Sequence, residues 1–167
     1  MIIVWGSGLY GDVDTVPGIG NVATKFGHIY YLPLIPTGSH FVFETTADGW
    51  RGVPISMSFK SILTAWLRTV LGFMALGAII VTAIEFAENR ISGAIGGSVA
   101  TVALIAMFVA TKRMKLFTTA SYERAKELAT TIGLNDHGLV LIDLHYGEIT
   151  EDEAQQQWEK IESNSDN

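Results

Sequence analysis

The chain is 167 residues long, contains no cysteine, and carries a formal net charge of −6 with a positive mean hydropathy. The missing cysteines exclude disulfides, thiolate zinc sites, iron–sulfur clusters and cysteine nucleophiles. The charge is uneven: nine acids and one base, Lys160, lie between Asn135 and Asn167, which argues against nucleic acid or anionic headgroups as partners of that tail.

Residues 1–58 alternate short β-like runs with turn signals. The opening Met1-Ile-Ile-Val-Trp5-Gly has no basic n-region and no long apolar stretch, so no secretory signal is expected there. Runs are predicted at Ile2–Trp5, Leu9–Val16, Asn21–Phe26, His28–Leu32, Phe41–Thr45 and Trp50–Met57. Turns are read at Gly6-Ser-Gly8, Pro17-Gly18, Pro33 to Gly38 and Ala47-Asp-Gly49. Val53, Ile55 and Met57 share one face, and Pro54 assigns the last run to an edge or a broken strand. The spacing predicts a small antiparallel β-domain.

Its chemistry is sparse. Gly6, Gly8 and Gly11 complete no phosphate-binding motif and fit turn geometry. Ser7, His28 and Asp14 supply the residue types of a hydrolase triad without a G-x-S-x-G turn. His28 and His40, with Asp12 and Asp14, make a thin ligand set for zinc. His28 reads better as a half-buried histidine beside Tyr30 and Tyr31. No metal, cofactor or catalytic residue is expected.

The stretch Thr24-Lys-Phe-Gly-His28-Ile-Tyr-Tyr-Leu-Pro33-Leu-Ile-Pro36-Thr-Gly38-Ser-His40 resembles the β-hairpin of bacterial zinc-ribbon membrane proteins. The shared pattern is Phe-x-His, three aromatic or apolar residues, Pro-Leu-Ile-Pro, then a small residue and glycine. That family holds zinc with cysteine pairs. For this cysteine-less chain, over residues 5–45, the resemblance implies the hairpin and not the metal.

Two long apolar runs follow, Ile62–Ile84 with the single charge Arg68, and Ile91–Ala110 with none. About 20 helical residues at ~1.5 Å each cross a hydrocarbon core of roughly 30 Å. Transmembrane helices are therefore expected over 59–86 and 91–112, joined by a loop at 87–90. Six bases (Arg51, Lys60, Arg68, Lys112, Arg113 and Lys115) stand on one side against Arg90 in the loop, so both termini are expected in the cytoplasm. Arg68 is placed to snorkel to the near interface beside Trp66, or to meet a partner's acid or a lipid phosphate. Gly72, Ala75 and Ala78 on the first helix, and Gly93, Gly97 and Ala100 on the second, form small-residue faces for packing within the hairpin or against another subunit. The deep apolar stretches hold no acid or histidine, which argues against a channel or transporter acting alone.

The tail, 113–163, reads as three helices before a short end at 164–167. Thr119-Ala-Ser121-Tyr-Glu-Arg opens the first, whose face carries Tyr122, Ala125, Leu128, Ala129 and Ile132 up to a stop at Gly133. A second runs from Asp136 to Tyr146. Thr150 with Glu153 forms a capping box for the third, with Ala154, Trp158 and Ile161 as its stripe. The run Leu141-Ile-Asp-Leu144-His-Tyr-Gly147-Glu-Ile149-Thr150-Glu-Asp-Glu153 resembles the SHOCT family, short helical hairpins at the ends of bacterial membrane proteins, which implies an association module over 136–163.

The sequence thus predicts an α+β membrane protein, a two-helix transmembrane hairpin between a small β-domain and a short helical domain. The expected function is a non-enzymatic accessory or scaffold subunit of the cytoplasmic membrane. Its partners are lipid, other membrane subunits or itself, and no nucleic acid, with Arg68, Tyr122 and Trp158 as partner contacts. The alternative is a membrane-anchored sensory module that binds a peptide or ligand through Trp5, Tyr10, Tyr30, Tyr31 and Trp50.

Overall fold

A computed structural model describes residues 5–47 and 49–165. The fold is α+β: an antiparallel sheet of four strands in the order β1-β2-β3-β4, followed by helices. The strands are β1 (Trp5–Val16), β2 (Gly20–Ile29), β3 (Leu32–Thr46) and β4 (Gly49–Ile55). The helices are α1 (Phe59–Ala87), α2 (Ile91–Arg113), α3 (Lys115–Thr118), α4 (Tyr122–Ile132), α5 (Asp136–Tyr146) and α6 (Glu151–Ser165).

The strands are fewer and longer than the predicted runs. The run at Ile2–Trp5 lies outside the described residues except for Trp5, and the turn at Ala47-Asp-Gly49 includes Asp48, which also lies outside them. Gly6 and Gly8 pair with His28 and Phe26 inside β1 instead of turning the chain. The Pro33–Gly38 stretch is the first half of β3. It pairs only with β2, because β4 begins its pairing at Ser39, so Pro33 and Pro36 have a ladder on one side alone. The reversal falls instead at Tyr30 and Tyr31, both left-handed (φ 48° and 63°) in a two-residue hairpin loop between Ile29 and Leu32. Pro54 lies on the edge strand β4.

One face of the sheet carries the core. Val13, Val22 and Phe41 pack against Ala125, Leu128, Ala129 and Ile142 of α4 and α5, with Val53 and Ile55 beside them. Further along the strands, Phe26 packs against Ile62 and Ala65 of α1, with Tyr10 alongside. The first turns of α1 are therefore part of the soluble core, and the expected boundary at residue 58 does not separate two bodies.

Between the two apolar clusters runs a buried chain of hydroxyls. The Ser58 N–H donates to Ser39 Oγ (2.9 Å). Thr24 Oγ1 donates to Ser61 Oγ (2.8 Å), and Ser61 Oγ donates to the Gly11 carbonyl (2.7 Å). Thr24 has only one hydroxyl proton, so Ser39 is the donor across the 2.8 Å contact between Ser39 and Thr24. Ser58 also caps α1 by accepting from the Ser61 N–H (3.3 Å). A Cβ on Gly11 (φ 72°) would strike the Ser61 carbonyl, so only glycine lets helix and strand approach this closely.

The loop between α1 and α2 is short, and Arg90 pairs with Glu85 (3.6 Å) and Glu88 (2.8 Å). The tail helices begin and end as their capping residues direct. Ser121 and Asn135 accept from Arg124 N and Gly138 N, and Gly133 and Gly147 supply left-handed stops. Thr150 and Glu153 exchange both bonds of the capping box (Thr150 N–H to Glu153 Oε2, 2.8 Å; Glu153 N–H to Thr150 Oγ1, 3.3 Å).

Thr24→Val is expected to destabilise the fold by about 1–3 kcal/mol, because Ser39 and Ser61 lose their shared partner in a dry site. Gly11→Ala is expected to cost at least as much, combining left-handed strain with the backbone clash. Thermal unfolding in detergent micelles, compared with Thr45→Val at the exposed end of β3, checks both.

Candidate functional site

The described residues gather their polar chemistry at one level, where the sheet, the first turn of α1, the end of α2 and the start of α4 meet. A cleft of about 730 Å³ opens there, lined by Asp14, Lys60, Lys115, Arg124, His145 and Tyr146 among others. Asp14 organises it. The residue sits where the β1–β2 register shifts between Val13 and Val16, with a left-handed backbone (φ 47°). The shift turns its side chain inward, leaving only 7% of it exposed. One carboxylate oxygen receives Lys60 Nζ (2.6 Å) from the first turn of α1. The other receives Arg124 Nε (3.3 Å) from the first turn of α4. Arg124 also meets Glu127 at 2.6 Å. Burial lowers the affinity of Arg124 for its proton, and the bonds to Glu127 and Asp14 outweigh that and raise it. Tyr146 donates to the Ala120 carbonyl (2.8 Å), and burial, with the charge of Asp14, raises its pKa. Lys60 and Arg124, the two cations that meet Asp14, are offset by Asp14 and Glu127 together, and Lys115 lies at the same cleft.

A second junction lies beside it. Arg68, half-buried on α1, donates through Nη2 to the Thr111 carbonyl in the last turn of α2 (2.8 Å) and to the Asp12 carbonyl on β1 (3.3 Å). It satisfies a carbonyl that the end of α2 leaves without an intrahelical donor, and it ties three elements together. The expected snorkelling is thus directed into the protein's own backbone. Lys112 lies over the Phe108 ring at 5.2 Å on the same groove.

The other residues expected at partner contacts are also engaged within the chain. Tyr122 donates to Asp143 Oδ1 (2.8 Å), and Lys126 pairs with the same carboxylate (2.7 Å), joining α4 to α5. The hydrogen bond to Asp143, then burial, raises the Tyr122 pKa. Lys126 is pulled down by burial and raised further by Asp143. Trp158 donates to the His137 carbonyl (3.4 Å), laying α6 on α5.

The small residues divide between two surfaces. Ala75 is buried and Ala78 half-buried on α1, while Gly93 and Gly97 of α2 face Glu85 and Thr82, where a Cβ would collide. Gly72 and Ala100 are exposed on outward faces, and nothing lies within 4 Å of where a Gly72 Cβ would be. His28 stacks on Tyr31 (5.4 Å) and meets the edge of Tyr10 (6.1 Å); its Nδ1 makes no hydrogen bond among the described residues. His40 abuts Trp50 (4.8 Å) on another part of the sheet, and among the described residues no group of three or more His, Asp or Glu side chains converges on a metal position.

Sequence reasoning considered Asp14 only as a loose ligand or triad member and gave Lys60 only a topological role. The available signal was an acid inside the apolar alternation Val13-Asp14-Thr15-Val16, with a base in the first turn of the next helix. Compared with protein-family models, curated proteins and solved structures, the chain matches none.

Asp14→Asn keeps a side chain tolerant of left-handed backbone and removes the charge. It is expected to lower stability by about 1–3 kcal/mol, since both cations are partly exposed and are rehydrated in part. Chemical denaturation of the full chain reads the loss. Because the raised Tyr122 pKa favours the neutral phenol in the folded state, its contribution is complete below about pH 10 and fades as pH rises through the folded value. Melting temperatures measured from pH 8 to 11 are expected to fall less steeply for Tyr122→Phe than for the parent.

Proposed function

We propose that the chain is an accessory or scaffold subunit anchored in the cytoplasmic membrane by the α1–α2 hairpin, holding one cytoplasmic body against the bilayer. The observation that carries this reading is the double use of α1. Its first turns are built into the core of the sheet through Ser61, Ile62 and Ala65, and the same unbroken helix continues into an apolar rod exposed on most of its circumference. Both α1 and α2 are long and apolar enough to cross a membrane, and little of either is covered by the rest of the chain. Phe73, Leu76, Ile80, Ile95, Val99 and Val102 are among the large side chains left bare. A soluble protein does not leave such a belt to water; lipid covers it at no cost.

The two soluble segments share one core, so a hairpin that crosses and returns keeps both on one side. The excess of bases at that end supports the cytoplasm as that side. Gly72 and Ala100, on the outward faces, give a second membrane helix a place to approach closely. The resemblance of 136–163 to an association module agrees with this reading.

The chain's lack of cysteine makes the test direct. Single cysteines replacing Thr45, Glu159 and Glu88 are probed in sealed vesicles with an impermeant maleimide. Thr45 and Glu159 are expected to label from one side and Glu88 from the other. Blue-native electrophoresis in mild detergent is expected to show an assembly larger than the monomer, which Gly72→Leu together with Ala100→Leu breaks up. A monomer alone would remove the scaffold reading while leaving the topology standing.

A further inference from the structure

The end of the sheet that carries the Tyr30–Tyr31 turn is bare. Trp5 is 81% exposed, Tyr31 70% and Ile35 67%, with Ile29, Tyr30 and Leu34 each between 44% and 48%. Leu34 is the extra residue where the β2–β3 register shifts between the Gly27–Ile35 and His28–Pro33 pairs, and it lies exposed beside Ile35. Between Trp5, His28, Ile29, Leu34 and Ile35 lies a shallow hollow of about 390 Å³. The turn itself is costly. A two-residue loop with both residues left-handed favours Asn-Gly, and each non-glycine residue there is strained by roughly 1–2 kcal/mol. Here both positions are tyrosine (φ 48° and 63°). The geometry is held by the His28–Tyr31 stack and by Tyr10 Oη donating to the Tyr31 carbonyl (3.1 Å). Strain kept in order to display two aromatic rings points to a use for the rings.

The depth of this end can be read from α1. The helix runs alongside β2 in the same direction, rung by rung. Ser61 meets Thr24, Ile62 and Ala65 meet Phe26, and Trp66 Nε1 donates to the Pro33 carbonyl (3.2 Å), opposite His28. The turn lies two residues beyond that last rung. Between the Thr24 and His28 rungs the strand advances from 24 to 28 while the helix advances from 61 to 66, so the same slant carries the turn about two to three residues further along the helix. That places it near Arg68 and Thr69. On the other helix, Arg68 bonds to Thr111, so the exposed bases Lys112 and Arg113 lie level with Trp66 and Leu67. The sheet's end therefore reaches about half a helical turn deeper than the bases that mark the headgroups. Aromatic rings with a polar edge favour that depth.

Resting on the membrane reading of α1 and α2, we propose that this end of the sheet, through Trp5, Ile29, Tyr30, Tyr31, Leu34 and Ile35, is seated in the headgroup–acyl boundary of the cytoplasmic leaflet. The β-domain is thus a third membrane contact beside the two helices. It fixes the tilt of the soluble body instead of leaving it to pivot on α1.

The test uses the full chain in vesicles of phosphatidylcholine and phosphatidylglycerol. Trp5→Cys, Ile35→Cys, Ile80→Cys and Thr45→Cys are each labelled with the environment-sensitive dye NBD, and quenching by lipids spin-labelled at carbon 5 or 12, or by aqueous iodide, is compared. Labels at Trp5 and Ile35 are expected to emit to the blue of Thr45. They are also expected to be quenched at least twofold more by the carbon-5 label than Thr45 is, with carbon 12 acting mainly on Ile80. Loss of quenching at Ile80 would sink the membrane reading itself. Normal quenching at Ile80, with Trp5 and Ile35 as open to iodide as Thr45, would overturn this proposal alone. A blue shift at Trp5 and Ile35 without lipid quenching, disappearing as protein is diluted among vesicles, would overturn it in favour of a second copy covering the patch.

Discussion

The approach of α1 to the sheet rests on a row of hydroxyl groups sealed from water. Thr24, Ser39, Ser58 and Ser61 pass a single directed line of hydrogen bonds from the Ser58 amide to the Gly11 carbonyl. In a dry interior such groups are costly when unpaired and stabilising when every proton is placed. An apolar seam would hold the helix with similar strength and allow it to slide. A line of short hydrogen bonds permits one register. That register sets the direction in which α1 leaves the sheet, and with it the position of α2, of Arg68 and of the tyrosine turn.

Two charged residues extend the same constraint to the rest of the chain. Asp14 reaches the first turns of α1 and α4 together, and Arg68 joins α1 to the end of α2 and the edge of β1. Asp14 is itself buried and Arg68 acts on backbone carbonyls, where a charged hydrogen bond is shielded less by water than one on the surface.

The helical elements could be read from local signals. The apolar runs at Ile62–Ile84 and Ile91–Ala110 lie in α1 and α2, and Ser121, Asn135 and Thr150 open helices that glycines or the chain's polar end close. Caps and periodicity act within a turn or two, so a linear reading finds them. The sheet was less legible. Gly6, Gly8, Pro33 and Pro36 carry turn signals, yet they lie within strands whose pairing is decided by residues elsewhere in the chain. A proline is tolerated in β3 only because β4 stops short of it, which no local window reveals. Tyr30 and Tyr31, β-formers by propensity, make the turn. The internal partners of Asp14 and Arg68 were illegible for a related reason: they are 43 to 110 residues away.

The shared core has a further consequence for biogenesis. Val13 and Phe41 are covered by Ala125, Leu128 and Ile142, which leave the ribosome only after both long helices. On the proposed membrane topology, a nascent sheet waits, half-clothed, while the hairpin is threaded. It closes only if the later helices emerge in its own compartment. A chain inserted with one crossing too few would strand the two halves of its interior on opposite sides, exposed to the cell's proteases. With that topology, the fold would act as its own inspection of how it was inserted.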